Sequence, residues 1–250
     1  MITIKNKEDI KKIAKSSQIA SFALREVIKK VRPGITTFDL DSIARRLIFS
    51  HGGTPSFIEH KNYPGAICVS INSEVVHGLP SNRTLKKGDV IGIDLGVNYS
   101  GFYSDCAYTV IVGKTKSSKD IRLVKTVKLA LRQAIKKVIP GNKIGDIEAE
   151  TGRVLKENGL SPILALSGHG VGYKIHEEPS ILSDGRSGEK DVIRPGMVFA
   201  IEPMASLRKP EVKVSSDGWT VETKDGSNAA HFEHTIVVTG TGSKVLTDKI

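Results

Sequence analysis

The sequence predicts an α+β fold made of two related halves, each with two outer helices followed by an inner β-hairpin. Three pairs of segments repeat in the same order, and such an internal repeat indicates duplication of one structural unit. The pairs are residues 26–55 with 133–162, 85–94 with 193–202, and 103–112 with 231–240. Two copies of one unit predict packing about a pseudo-twofold axis, with the helices outside and the strands inside.

Apolar periodicity and helix-ending residues predict the helices. The first helix of each half is expected at about residues 7–31 and 118–138, and the second at about 37–51 and 144–158. A Pro-Gly pair follows each first helix, and proline and glycine both end helices. Thr36 and Asp39 match a capping box at the start of the second helix. The segment between the two strands of the hairpin is longer in the second half than in the first.

The first hairpin has an aspartate inside each apolar strand. Residues 90–97 are apolar and β-branched, as buried strands are, and turn-forming residues follow at 98–101. Asp94 lies in the first strand and Asp105 in the second. A buried carboxylate without a partner costs folding free energy or shifts its pKa strongly. Each aspartate therefore needs a partner.

The repeat supplies two further acids in equivalent places. Glu202 coincides with Asp94, and Glu233 with Asp105. Asp94 should therefore face Glu202 across the axis, and Asp105 should face Glu233. Four carboxylates this close cannot all ionise unless a cation offsets them. A salt bridge would explain one strand acid, but four at equivalent positions favour metal. We therefore predict two divalent metal ions, as in dinuclear hydrolases.

Composition limits the other possibilities. The 250 residues, 39% hydrophobic and 26% charged, are ordinary for a soluble globular protein. No low-complexity linker is visible, so we expect one domain over residues 1–250, with halves of about 1–115 and 116–250. Cys68 and Cys106 are the two cysteines, which excludes a disulfide scaffold and a cysteine zinc site. With no apolar run or signal region, we expect a cytoplasmic protein and no membrane contact.

The formal net charge is +10. Lysines on solvated helix faces explain this charge, and contact with a polyanion such as RNA is the alternative. No aromatic-rich signature accompanies the lysines, so we expect no dedicated nucleic-acid site.

Two histidines lie between the acid pairs, in the segment SGHGVGYKIHEEP. Glycines surround His169, so that the backbone could approach a ligand closely, and imidazole is the commonest neutral metal ligand. His176 ends the same segment, and His77 precedes a glycine where a strand passes into a loop. His51, His60 and His234 are interpreted as structural or surface residues.

Taken together, these residues resemble the type I methionine aminopeptidases, which have the pita-bread (creatinase/aminopeptidase) fold. The matching motifs are INSEVVHGLP, IGIDLGVNYSGFYSD, SGHGVGYKIHEEP, FAIEPM and DGWTVETKDGSNAAHFEHTIVVT, in order along the chain. The resemblance implies removal of the initiator methionine from nascent proteins when the second residue is small. The absence of a zinc-finger extension and of a large helical insertion suggests the minimal bacterial form.

The resemblance also implies a role for each acid. Asp105 and Glu233 would bridge two divalent metals, Asp94 would bind one of them, and His169 with Glu202 the other. Manganese, iron, cobalt and zinc all suit such ligands. Glu202 would also act as the base for the attacking water and as the acid for the leaving amine.

The same resemblance implies the substrate contacts. His77 and His176 would hydrogen-bond the substrate and the tetrahedral intermediate, and Tyr63, Cys68 and Trp219 would line the methionine pocket. The chain has no GxSxG, P-loop, HExxH or Rossmann pattern, so other hydrolase and nucleotide mechanisms lack their residues.

Four positions depart from the family pattern. His60 stands where a tyrosine is usual, Ile175 where phenylalanine is, Phe57 where cysteine is, and His231 where glutamine is. His231 should share the strand face of Glu233, and it would act as a partner of a ligand or as a metal contact.

Two alternatives stay open at this point. One is a non-catalytic protein of the same fold that holds RNA or the ribosome, and the other is a dinuclear X-Pro peptidase. The expected partners are the N-terminal methionine of nascent peptides and, through the lysines, a transient ribosome contact. We expect a monomer.

Overall fold

The computed structural model describes residues 1–59 and 63–248, and it confirms the expected mixture of helices and sheet. The helices are α1 Lys7–Ile28, α2 Thr37–Ser50, α3 Ser118–Lys136 and α4 Ile144–Glu157, with a 3₁₀ turn at Phe57–Glu59. Each helix ends slightly before its predicted end, because the last residues form tighter turns, such as Lys30 N–H to the Val27 carbonyl at 2.9 Å.

Both first-half helices begin with a complete capping box. Asn6 and Asp9 exchange side-chain and backbone hydrogen bonds at the start of α1. Thr36 and Asp39 do the same at the start of α2, as the sequence predicts. These exchanges satisfy N–H groups that have no partner within the helix.

The strands are short and belong to several sheets. They are β1 Thr54–Pro55, β2 Cys68–Ile71, β3 Glu74–Val76, β4 Val90–Tyr99, β5 Phe102–Ile111, β6 Ser161–Pro162, β7 Ser167–Gly170, β8 Glu177–Leu182, β9 Val198–Ile201, β10 Met204–Ser206, β11 Val212–Val214, β12 Val221–Thr223, β13 Ala229–His231, β14 Glu233–Val238 and β15 Ser243–Val245.

The large sheet joins the two halves. Its strands follow the order β1-β4-β5-β14-β9-β7-β8, with β2 beside β4 and β15 beside β14. The junction is β5 against β14, where His234 pairs with Cys106. In the second half β9 and β14 pair directly, and β10 to β13 form the longer excursion between them. That excursion contributes to two three-stranded sheets, β13-β10-β6 and β11-β12-β3.

The β4–β5 hairpin is longer than predicted. Its strands continue to Tyr99 and resume at Phe102, so that Ser100 and Gly101 alone form the turn. Both turn residues have positive φ, 52° and 82°. Two such residues match the right-handed twist of the flanking strands, which explains why the tight turn is stable.

The helices pack against this sheet, and the core divides between the halves. Leu24 of α1 packs with Leu95 of β4 in one cluster, while Leu131 of α3 packs with Phe199 of β9 in the other. All four side chains are buried. Within residues 1–59 and 63–248, no helix combines the length and the apolar character needed to cross a membrane.

The packing of α1 against the sheet should dominate stability in the first half. Leu24 is fully buried, so Leu24→Ala should lower the free energy of unfolding by about 2–5 kcal/mol. Leu129→Ala is the matched control, because Leu129 lies on α3 with 40% of its surface exposed. Urea denaturation would measure both variants. Equal losses in the two would contradict the assigned packing.

Candidate active site

A cleft of about 640 Å³ opens between the large sheet and the two small ones. Its lining contains every residue that the sequence assigns to metal, catalysis or substrate: Tyr63, Cys68, His77, Asp94, Asp105, His169, His176, Glu202, Trp219 and Glu233. Residues from positions 63 to 233 therefore meet at one place, although no local pattern connects them.

Strand register brings the acids together. Asp94 and Glu233 both lie opposite Ala107, on the two strands that flank β5. Asp105 lies two residues from Ala107, and side chains two apart share a strand face. Glu202 directly follows β9, the other neighbour of β14. Four strands thus point carboxylates at one point.

Among the described residues, the possible ligand atoms form three overlapping triads. In the first, atoms of Asp94, Asp105 and Glu233 lie within 4.8 Å of one another. In the second, atoms of His169, Glu202 and Glu233 do so, and in the third, atoms of Asp105, His169 and His176. Asp105, His169 and Glu233 therefore each belong to two triads. This grouping is compatible with the predicted division, in which Asp94 and the His169–Glu202 pair lie on different sides of shared carboxylates.

These carboxylates repel one another in a buried site. Burial, followed by the charge of Glu202, raises the pKa of Asp105 to about 8. Burial raises the pKa of Glu202 to about 7. Asp94 and Glu233 are shifted the same way by burial and by the neighbouring acids. Among the described residues, Asp94 Oδ1 and Glu233 Oε1 have no hydrogen-bond partner. Buried oxygen atoms of this kind fit divalent cations.

His169 presents one ring nitrogen to the acids. Its Nδ1 lies 2.9 Å from the Gly170 carbonyl, which accepts a hydrogen bond only if Nδ1 carries the proton. Nε2 is then the lone-pair atom, and it lies 3.4 Å from Glu202 Oε1. The His176 ring stands edge-on to the His169 ring at 4.5 Å. A backbone contact that fixes the tautomer is typical of metal-binding histidines.

The glycines around His169 allow close packing of neighbouring strands, whereas the sequence predicts that they admit a ligand. A Cβ on Gly168 would lie 2.5 Å from the Ala200 carbonyl oxygen, and one on Gly170 would lie 2.2 Å from that of Glu178. Neighbouring strands, not a ligand, fill the space. The expectation that these glycines admit a ligand is therefore wrong, because β7 is packed between β8 and β9.

His77 sits at the rim of the cleft in an unusual backbone conformation. Its φ is +60°, in the left-handed region that residues with a Cβ rarely adopt. Gly78 follows, and a Cβ there would lie 2.2 Å from the Val69 carbonyl oxygen. The chain thus turns sharply against β2, leaving the His77 side chain exposed to the cleft. Such strain is often found at functional positions.

An apolar pocket adjoins the acids. The rings of Tyr63 and Trp219 meet edge to face at 5.2 Å, and the Tyr63 hydroxyl donates to the Gly78 carbonyl at 2.8 Å. Cys68 is buried, and burial raises the pKa of its thiol, so that it is an apolar wall and not a nucleophile.

Two departures from the family pattern meet in this wall. Phe57 and Ile175 pack in one cluster with Tyr63 and Cys68. Both departures therefore lie beside the predicted methionine pocket. His60 falls outside the described residues.

The sequence predicts one strand for His231 and Glu233, but His231 ends β13 of a small sheet and Glu233 begins β14 of the large sheet. The Nε2 of His231 is 3.1 Å from Glu202 Oε2, without the alignment of a formed hydrogen bond. Burial lowers the pKa of His231 to about 3, so its ring is neutral. His231 belongs to none of the three triads, which favours the interpretation as a partner of Glu202 over a metal contact.

Sequence comparison identifies the family of this site. The model of metallopeptidase family M24 matches residues 11–240. The chain belongs to this family. A methionine aminopeptidase of Aquifex aeolicus is 44% identical, with 99% of each chain covered, and methionine aminopeptidase 1 of Bacillus subtilis is 38% identical, again with 99% of each covered.

Solved structures of M24 relatives have the same fold. A methionine aminopeptidase from Thermotoga maritima superimposes with a TM-score of 0.97 at 41% identity, covering 99% of each chain. A prolidase from Pyrococcus furiosus gives 0.81 at 26% identity, and the match covers 98% of this chain but 65% of the prolidase. The resemblance drawn from the motifs and the pita-bread fold are both confirmed.

Part of the M24 cleft could not be read from the sequence. Leu166, Met204 and Val221 also line it, from the strands and loop of the small sheets. Each is an ordinary apolar residue with no distinguishing pattern.

The repulsion among the acids predicts how stability depends on pH. Carboxyls with a raised folded pKa bind more protons folded than unfolded, so the metal-free protein should lose stability as pH rises from about 4 to 8. Asp105→Asn removes one of the repelling charges, so its loss over that range should be smaller. Thermal unfolding of both metal-free proteins at several pH values would measure this, and parallel profiles would contradict it.

Proposed function

We propose that this chain removes the N-terminal methionine from nascent proteins whose second residue is small, using two divalent metal ions. The observation that supports this most directly is the position of an apolar pocket, lined by Tyr63, Cys68 and Trp219, beside two ligand triads that share Glu233. The names of the full-length relatives agree with it.

The donor atoms fit two divalent ions. Asp94, Asp105 and Glu233 would hold one, and His169, Glu202 and Glu233 the other; Asp105 also lies within reach of His169, with which it forms a third triad. Manganese, iron, cobalt and zinc accept these oxygen and nitrogen ligands. When bound, such ions lower the pKa of water and polarise a carbonyl group, which together make peptide hydrolysis feasible at neutral pH.

Glu202 acts as the proton carrier. Its carboxylate is partly exposed to the cleft, so it can accept a proton from one group there and donate it to another. It takes a proton from the attacking water and later gives one to the leaving amine. The neutral His231 below it limits where the Glu202 side chain can move.

His77 and His176 stabilise the substrate from the rim. Both side chains are exposed and line the cleft, His77 directly after β3 and His176 directly before β8. A ring N–H from His176 donates to the carbonyl oxygen as negative charge develops on it, and His77 holds the peptide backbone. Donors aimed at developing charge are worth most in a partly dry site.

The pocket selects the side chain. Its walls are the rings of Phe57, Tyr63 and Trp219 and the thiol of Cys68, and Ile175 packs in the same cluster. Such walls suit an unbranched thioether without offering a charge. Cytoplasmic location, a monomeric state and a transient ribosome contact through the basic surface remain predictions that accompany this function.

Peptide hydrolysis tests the proposal. The metal-loaded protein should cleave Met-Gly peptides at least tenfold faster than Met-Lys peptides, since one methylene-sized difference in fit already changes rates about tenfold. Chelation should abolish turnover, and added metal should restore it. Release of methionine measured by chromatography would decide. Cleavage of Ala-Pro in preference to Met-Gly would instead indicate an X-Pro peptidase, and no cleavage of either would indicate a binding protein.

A pair of variants separates the two histidines of one segment. His169→Ala should weaken metal binding and turnover together. His176→Ala should leave metal affinity intact and lower kcat by roughly 10²–10³-fold with little change in KM, because the lost hydrogen bond strengthens only in the transition state. Calorimetric metal titration and steady-state kinetics would measure both. Metal loss confined to His176→Ala would exchange the roles, and full kcat in both would refute the mechanism.

A further inference from the structure

A buried ion pair ties the N-terminal segment to the segment that carries His176. Lys5 Nζ lies 2.6 Å from Glu177 Oε2, and the two side chains are only 1% and 7% exposed. The partners are 172 residues apart, and Glu177 directly follows His176 in the chain. We call residues 3–5 the N-terminal strap and residues 171–176 the histidine loop.

The carboxylate of Glu177 divides its hydrogen bonds between these two segments. Oε1 accepts the backbone N–H groups of Tyr173 at 2.6 Å and Lys174 at 3.0 Å, both in the histidine loop. Oε2 accepts the Thr3 hydroxyl at 2.5 Å and the Lys5 ammonium at 2.6 Å, both in the strap. Oε1 therefore holds the backbone of the histidine loop, and Oε2 attaches this loop to the N-terminal strap.

The strap packs directly on the loop backbone. Gly172 has a φ of +143°, and a Cβ there would lie 2.7 Å from Lys5 Cε. On the other side, the Lys5 N–H donates to the Gly196 carbonyl at 2.8 Å, which fixes the strap against the turn before β9. The strap thus packs between Gly172 and Gly196, so a displacement of Lys5 would shift the histidine loop.

The remaining contacts of the loop lead back to the same region. The Tyr173 hydroxyl donates to Asp9 of α1 at 2.7 Å. The Gly172 carbonyl accepts the Tyr103 N–H at 2.7 Å, which joins the loop to β5. At its far end the loop places the His176 ring 4.5 Å from His169.

We propose that Lys5 and Glu177 are positioning residues: their ion pair, helped by Thr3, holds the histidine loop so that His176 meets the substrate carbonyl. This inference rests on the proposed function for the role of His176, but not for the existence of the clamp. Neither Lys5 nor Glu177 is among the described residues that line the cleft. Loss of the ammonium would leave the Glu177 carboxylate buried with an unpaired charge, which drives rearrangement of the strap or the loop.

The test compares two lysine variants. Lys5→Met keeps the length of the side chain and removes its charge. Lys190→Met does the same to another ion pair, Lys190 with the buried Glu148 at 2.5 Å, which lies away from the cleft. Both should destabilise the protein, so the control shows what the loss of a Lys–Glu pair does by itself.

Amide exchange and steady-state kinetics are measured on both variants, together with metal affinity. In Lys5→Met, the Tyr173 and Lys174 amides should exchange hydrogen at least about tenfold faster, since their acceptor is no longer fixed. The value of kcat on a Met-Gly peptide should fall about 10- to 100-fold, because a catalytic group is misplaced, while KM and metal affinity should change little. Lys190→Met should change none of these quantities.

A double variant shows whether the clamp acts through His176. In a His176→Ala background, adding Lys5→Met should cause no further fall in kcat, because coupled residues are not additive. Thr3→Val removes one bond to Glu177 and serves if Lys5→Met does not fold; its amide exchange and kcat should change in the same direction by a smaller factor.

Several outcomes would overturn the clamp. They are unchanged exchange at Tyr173 and Lys174, a kcat loss equal in Lys5→Met and Lys190→Met, or a loss that adds fully to that of His176→Ala. If the unaltered protein does not release methionine, the proposed function fails, while the amide exchange still decides whether the strap holds the loop.

Discussion

Mutual repulsion among four carboxylates in a buried space is the constraint on which this structure depends. Asp94, Asp105, Glu202 and Glu233 converge from four strands. Burial raises the pKa of all four, and the charge of Glu202 raises the pKa of the other three further. No lysine or arginine lies among the described residues that line the cleft. Bringing the acids together therefore raises the free energy of the fold unless a cation is bound. The backbone hydrogen bonds of the long antiparallel ladders of β4, β5 and β14 hold the acids in place against this repulsion.

Rigid and adjustable parts of the cleft are distinct. The acids stand on or beside strands of the large sheet, where backbone hydrogen bonds on both sides fix their direction. His77 and His176 stand on loops at the rim, where the backbone follows turns instead of a ladder. Metal ligands need fixed geometry, whereas groups that meet a peptide must admit it and release it. The division between sheet and loop matches these two requirements.

The architecture and the acids were predictable, because both can be recognised in the sequence without knowing which residues are close in space. Duplication appears as repeated segments. An aspartate among β-branched residues stands out because an unpaired carboxylate in a buried strand is unfavourable. The helix ends, the two-residue turn at Ser100 and the packing role of Gly168 were not predictable, since each depends on a neighbouring segment. The same holds for Lys5 and Glu177: a lysine near the start of a chain and a glutamate after a histidine are both ordinary until the fold joins them.

The interleaving of early and late segments has a consequence for the synthesis of the chain itself. Asp94 and Asp105 emerge from the ribosome well before Glu233, whose strand completes the sheet beside β5, and β15 pairs with β14 later still. Lys5, among the first residues made, must wait for Glu177. In the proposed site, a growing chain therefore lacks both part of the ligand set and the ion pair that holds the histidine loop. Under that proposal activity begins only once nearly the whole chain has left the ribosome, and an unfinished molecule carries its first acids without the ability to use them.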